Sequence, residues 1–155
     1  MTRDRARTPW QVLFLCTGNT ARSIIAESLL RHRGGDAFVA HSAGSDPAGA
    51  VQPLALQTLA RVGLPIDGLE SKSLDRFLGP DAPALDFVIT VCDHAAEQCP
   101  VFPGQPVTAH WGEPDPARVD GDEETRLQAY RRVLSDLERR VERLVNLPLA
   151  DLDRP

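Results

Sequence analysis

Long apolar runs are missing from this chain of 155 residues. None approaches the ~20 residues that carry a helix across a bilayer. The only apolar stretch near the start, Val12–Leu15, is too short for the core of a secretory signal. The expectation is a cytoplasmic protein with no membrane partner. Lysine is nearly absent: Lys72 stands alone against sixteen arginines. The net charge of −5 argues against a general nucleic-acid binder. Cysteine is scarce too. Cys16, Cys92 and Cys99 make an odd set, which fits a closed disulfide framework poorly, and a reducing compartment disfavours one. There is no internal repeat, low-complexity tract or long linker. Each cysteine therefore needs its own explanation.

What is present is the composition of an ordinary globular domain, 42% hydrophobic and 25% charged. At this length one domain can bury its own core without disulfides or metal. We expect that domain over residues 10–147, with a flexible N-terminal segment at 1–9 and a C-terminal tail at 148–155. A monomer is the default.

Short apolar runs alternate with stretches of helical period. Gln11–Leu15 reads as a strand buried on both faces. Ala21–Arg33 follows as a helix stopped by Gly34-Gly35. Phe38–His41 reads as a strand. Pro53–Val62 reads as a helix with proline at its start. Ser73–Leu78 reads as a helical turn, and Leu85–Val91 and Pro106–Trp111 as strands. In the last helix Asp122, Glu123 and Glu124 crowd the N-terminus, where the dipole favours acids. Leu127, Tyr130, Leu134, Leu137, Val141 and Leu144 then form an apolar stripe. The alternation predicts an α/β fold: one four-stranded parallel sheet flanked by helices. Sites in such sheets lie beyond the C-terminal strand ends. Cys16 follows the first strand and Cys92 the third. If those two strands are neighbours, the cysteines start about 5 Å apart laterally.

The central motif is Cys16-Thr17-Gly18-Asn19-Thr20-Ala21-Arg22-Ser23. A loop running from a strand into a helix N-terminus aims backbone N–H groups at one spot, which suits a tetrahedral oxyanion. Arg22 adds a planar fork of donors. The same positive field favours the thiolate of Cys16, to which Ser23 can donate a hydrogen bond. The outcome is a sulfur nucleophile beneath a bound oxyanion. The bland alternative is a buried cysteine ending a strand, with Arg22 on a solvated helix face.

These residues, with Val12–Asn19, Ala26-Glu27, Ser42-Ala43-Gly44, Val88–Cys92, Cys99-Pro100, His110-Trp111-Gly112 and Asp115-Pro116, resemble the low-molecular-weight tyrosine phosphatase superfamily. More narrowly, they resemble its thioredoxin-linked arsenate reductase branch. The resemblance covers roughly Val12 to Leu144. It implies a sheet of four parallel strands, with Thr17–Ser23 binding arsenate, or phosphate or sulfate as mimics. It implies catalysis by Cys16, Arg22, Cys92, Cys99 and Asp115 without a cofactor. Cys16 attacks arsenate, Cys92 attacks Cys16 and releases arsenite, and Cys99 attacks Cys92. Thioredoxin or another thiol reductant then reduces the Cys92–Cys99 bond. In a continuous helix these two residues stand about 10.5 Å apart along the axis, beyond the ~7 Å reach of a disulfide, so the pairing requires the segment to loop out. Ordinary buried thiols, or a zinc site with His94, are the alternatives; the spacing is not a usual zinc pattern.

In the family the aspartate matching Asp115 is the general acid; Glu113 competes for that role here, and a simple turn aspartate is the alternative. Asn19, Glu27 and Ser42 match residues that some relatives use to bind potassium. Where those relatives place an aspartate, this chain has Leu74, two residues after Lys72. We therefore expect no metal, with the Lys72 ammonium paired with Glu27 in the cation's stead, or else a plain surface lysine. Asn19 may also be read as a brace that accepts a left-handed conformation. His41 and His110 are left out of the site, and Trp111 is read as packing. The competing function is a low-molecular-weight protein tyrosine phosphatase using Cys16, Arg22 and Asp115. Against it, such phosphatases usually carry a second loop cysteine where this chain has Ala21. They also carry aromatic residues after the acid, where this chain has Ala117 and Arg118. Aromatics are only 5% of the chain, with a single tyrosine. A non-catalytic oxyanion- or redox-sensing module is a third reading.

Overall fold

The computed structural model describes residues 8–93, 102 and 106–149. Four strands, β1 (Trp10–Cys16), β2 (Phe38–Gly44), β3 (Phe87–Thr90) and β4 (Val107–His110), form one sheet in the order β2-β1-β3-β4. Every pairing is parallel. Three helices flank it: α1 (Arg22–Gly34), α2 (Pro53–Arg61) and α3 (Glu123–Val145). A 3-10 turn at Leu74–Phe77 and another at Pro116–Arg118 complete the elements. Among the described residues, no helix is long and apolar enough to cross a membrane.

The central strand explains the layering. Side chains of a strand alternate between faces. Trp10, Val12, Phe14 and Cys16 enter the larger core with residues of all three helices, including Ile25, Leu29, Leu59, Tyr130 and Leu137. Leu13 and Leu15 enter a smaller core on the other face, with Ala43, Phe77 and Val88. Val12–Leu15 are fully buried, and each such side chain contributes roughly 1.5–3 kcal/mol. The run has no polar alternation because neither face meets water. β4, at the sheet edge, is exposed throughout.

Asp122 caps α3 by accepting a hydrogen bond from the Thr125 N–H (2.8 Å). Pro53 opens α2. The apolar stripe of α3 differs from the expected one. Val133 is buried and Leu134 only partly so; at 100° per residue the two flank the stripe on opposite sides. Leu149, just past α3, also packs into the larger core. Strands β3 and β4 are shorter than their apolar runs, and β2 is longer, extending to Gly44.

Candidate active site

β1 delivers Cys16 to the C-terminal edge of the sheet, and α1 starts six residues later. Cys16 sits opposite Gly44 in the parallel register. A Cβ at Gly44 would overlap the Thr17 carbonyl oxygen and crowd Asn19, so only glycine lets the loop lie on β2. Asn19 turns the loop with φ +51°, a conformation asparagine tolerates. Five loop carbonyls are engaged. Those of Cys16, Thr17, Gly18 and Thr20 accept from the N–H groups of Ser45, Asp46, Ala48 and Gln52, and that of Ala21 accepts from Ile25. Ser71 Oγ also donates to the Gly18 carbonyl (2.9 Å). A loop held by its carbonyls on the outside turns its amides inward, as an anion cradle requires.

The Cys16 sulfur shows that polarity. It accepts from the Asn19 N–H (3.2 Å) and lies 2.8 Å from Ser23 Oγ. Asn19 Nδ2 donates to the same Ser23 oxygen (2.8 Å). Toward a thiolate at Cys16, which has no hydrogen to give, the Ser23 hydroxyl is the donor. The first turn of α1 carries no acidic residue and no side-chain cap hydrogen bond, so its dipole favours an anion at the loop.

Arg22 is buried yet reaches across the site. Its Nη1 donates to the Glu113 carbonyl (3.2 Å), and its Nη2 lies 3.9 Å from Asp115 Oδ2. Asp115 caps the 3-10 turn by accepting from the Ala117 N–H (3.0 Å), and Arg118 Nε stands 3.8 Å away. Of the two candidate acids, Asp115 is the partly exposed one beside Arg22. Glu113 is 4% exposed. Burial pushes its carboxyl up to about 7, the adjacent Asp136 carboxyl adds to the rise, and Arg140 and Arg139 oppose it.

Behind the loop, the buried Glu27 carboxylate gathers Arg31 Nη2 (2.6 Å), the Ser42 hydroxyl and Lys72 Nζ (3.7 Å). Lys72 Nζ also donates to the Glu70 carbonyl (3.0 Å) and lies 3.5 Å from Ser42 Oγ. The Lys72 backbone N–H donates to Asn19 Oδ1 (2.9 Å). Thus Asn19, Glu27, Ser42 and Lys72 do meet. Among the described residues, no group of three or more His, Cys, Asp or Glu side chains is placed to hold a metal. His41 contacts Gln11 and the edge of Phe77, and His110 pairs with Thr90. Burial, the largest influence, holds His41 below its usual range, with Lys72 adding and Glu27 opposing.

Leu15 pairs with Thr90 between β1 and β3, so Cys16 and Cys92 leave adjacent strand ends, about 4.8 Å apart across the sheet. Cys92 is fully buried and disulfide-bonded, whereas Cys16 is a free thiol. Trp111 stacks tilted on Phe14 at 5.8 Å. Cys99 and His94 lie outside the described residues. Sequence reasoning missed two groups: Ser71, which braces Gly18, and the main chain of Glu113, which holds Arg22. Neither follows from a local motif.

Comparisons with known proteins agree with this geometry. An arsenate reductase of Halalkalibacterium halodurans is 36% identical over 130 residues, covering 84% of this chain and 91% of the relative. The crystal structure of an arsenate reductase from Archaeoglobus fulgidus superposes with a TM-score of 0.72 at 33% identity, over 88% of this chain and 99% of that one. A thioredoxin-dependent arsenate reductase of Corynebacterium glutamicum superposes with a TM-score of 0.63 at 28% identity, over 92% of this chain and 64% of that one. The sequence profile of the low molecular weight phosphotyrosine protein phosphatase family matches residues 11–154, and the chain belongs to that family.

Proposed function

We propose that the protein reduces arsenate to arsenite. The observation that carries the reading is that Cys92 follows β3 by two residues, and β3 pairs with β1, the strand that ends in Cys16 and leads into the anion loop. Hydrolysis of a phosphate ester needs only the loop, Arg22 and Asp115. A second cysteine at the adjacent strand end adds a route for electrons.

The steps balance as follows. The loop amides and Arg22 bind arsenate, and the Cys16 thiolate attacks arsenic. Asp115 gives its proton to the departing oxygen, leaving a sulfur–arsenic(V) bond. The Cys92 thiolate then attacks the Cys16 sulfur. The sulfur–arsenic bond breaks, its electron pair stays on arsenic, and arsenite leaves while a Cys16–Cys92 disulfide forms. Cys99 attacks Cys92 and returns Cys16 as a thiolate. An external dithiol protein of the thioredoxin kind reduces the resulting Cys92–Cys99 disulfide. The free thiol at Cys16 and the disulfide at Cys92 are consistent with the end of that sequence. Ser23 stabilises the Cys16 thiolate. Asn19, Glu27, Ser42 and Lys72 hold the loop, with the ammonium of Lys72 in the place of a bound cation.

The test is arsenite formation from arsenate with thioredoxin, its reductase and a nicotinamide donor, against hydrolysis of an aryl phosphate. Turnover lost in Cys92→Ser while hydrolysis persists supports the reductase. Brisk hydrolysis with no arsenite in the wild type rejects it.

A further inference from the structure

The acid loop meets α3 in part through one buried carboxyl. Glu113 is 4% exposed, and its Oε1 is buried with no hydrogen-bond partner. Glu113 lines a cleft of about 450 Å³ with Asp136, Arg139, Arg140 and Arg143 of α3. Its side-chain carboxyl faces that of Asp136 across this cleft, close enough for the two to interact, and Arg139 Nη2 holds Asp136 in an ion pair. Its main-chain carbonyl takes the hydrogen bond from Arg22. Asp115, two residues on, is the proposed acid. One residue thus touches α3 with its side chain and the anion-binding arginine with its backbone.

We propose that the Glu113–Asp136 carboxyl pair is a positioning clamp: while it holds one proton it keeps the acid loop on α3, with Arg22 and Asp115 set over the anion loop. This rests on the functional reading above. Two carboxyls in contact cannot both ionise without repulsion. One shared proton makes the contact an attractive hydrogen bond. Loss of that proton to solvent leaves the buried Glu113 carboxylate beside a second, half-buried one, and the least costly relief is for the loop to lift. Lifting carries the Glu113 carbonyl off Arg22 and Asp115 away from the anion. The charged groups facing the pair do not remove this effect. From α3, Arg139 is already committed to Asp136, Arg140 and Arg143 also line the cleft, and Arg140 and Arg139 offset only part of the rise that burial and Asp136 cause. Arg22 of α1 meets the backbone rather than the carboxyl. Asp115 adds negative charge on the same loop. On β4, the His110 ring lies against Gly112. Burial of Glu113 raises its carboxyl to about 7.

The experiment compares the full-length wild type with E113Q at pH 6 and pH 8. It measures the arsenite formation rate and, separately, the affinity for inorganic phosphate by calorimetry. The variant keeps a neutral donor toward Asp136 at both pH values. Taking the variant-to-wild-type ratio cancels the titration of Cys16 and of phosphate itself. That ratio is expected to rise roughly tenfold between pH 6 and 8, because about a tenth of Glu113 stays protonated one unit above 7. D136N, whose amide can donate to an ionised Glu113, is expected to flatten the same step. Ratios that stay constant with pH for both rate and affinity, or a uniform loss at both pH values, would overturn the clamp. A phosphate-affinity step with no arsenite from either protein would support the clamp and reject the reductase reading.

Discussion

The Cys16 sulfur lies 2.8 Å from the Ser23 hydroxyl, and the Asn19 amide donates to the far side of that hydroxyl. The chain from Asn19 through Ser23 to Cys16 is buried, and once Cys16 is a thiolate only the serine has a proton to give across that contact. Ser23→Ala removes a hydrogen bond to a charged sulfur. Such bonds contribute about 1.5–3 kcal/mol, so the first chemical step should slow roughly 10–100-fold. Rapid-quench measurement of the first turnover should show this with KM for arsenate little changed. An unchanged rate would remove Ser23 from the account.

Lys72 and Glu27 give a second prediction. An ammonium 3.7 Å from a buried carboxylate takes the position a cation would need. Wild-type activity should be the same in potassium and sodium buffers of equal ionic strength. Lys72→Met should lower activity and regain part of it as potassium is added. Strong potassium activation of the wild type would contradict the proposed role.

Gly44 makes a packing prediction. Its missing Cβ is what allows the Thr17 carbonyl to sit where it does. Gly44→Ala overpacks a rigid strand–loop contact, at a cost of about 1–3 kcal/mol. Denaturant unfolding should report that loss, and the loop shift should weaken anion binding as well. Full stability in Gly44→Ala would show that the loop yields freely.

The anion loop was legible in the sequence because its parts are consecutive: strand, cysteine, glycine and asparagine turn, arginine, helix. The buried strands β1 and β3 were legible for the same kind of reason, since each is a compact apolar run; β4 is exposed throughout and followed from the alternation of elements. What holds the loop in place was not. Ser71 reaches Gly18 across 53 residues, and Arg22 reaches Glu113 across 91, and no local pattern encodes such pairs. Glu113 was legible only as a rival acid to Asp115. Two acids flanking a proline look alike in sequence, and burial against α3 is what separates them. Strand lengths were blurred because Leu85 is apolar for packing into the smaller core, and because Trp111, which packs on the larger core, still donates its N–H to Thr90 just past the end of β4.

Glu113 also sets a pH dependence of stability. Its carboxyl rises from an ordinary 4.5 to about 7 in the folded chain. Between those values the folded state binds the extra proton, so this contribution is complete below about 4.5 and is lost as pH rises through 7. The difference is on the order of 3 kcal/mol. Glu113→Gln should flatten that decline and be the more stable protein at pH 8. Thermal or urea unfolding at pH 5 and 8 checks it; parallel curves for both proteins would contradict it.

The most direct test of the central claim is a single turnover without external reductant. Fully reduced protein is mixed with arsenate, then arsenite and remaining thiols are counted and the disulfide is mapped by peptide mass. The account predicts about one arsenite per chain, loss of two thiols and a Cys92–Cys99 link. Arsenite appearing only after a small thiol is added, or no arsenite alongside rapid aryl phosphate hydrolysis, would contradict it.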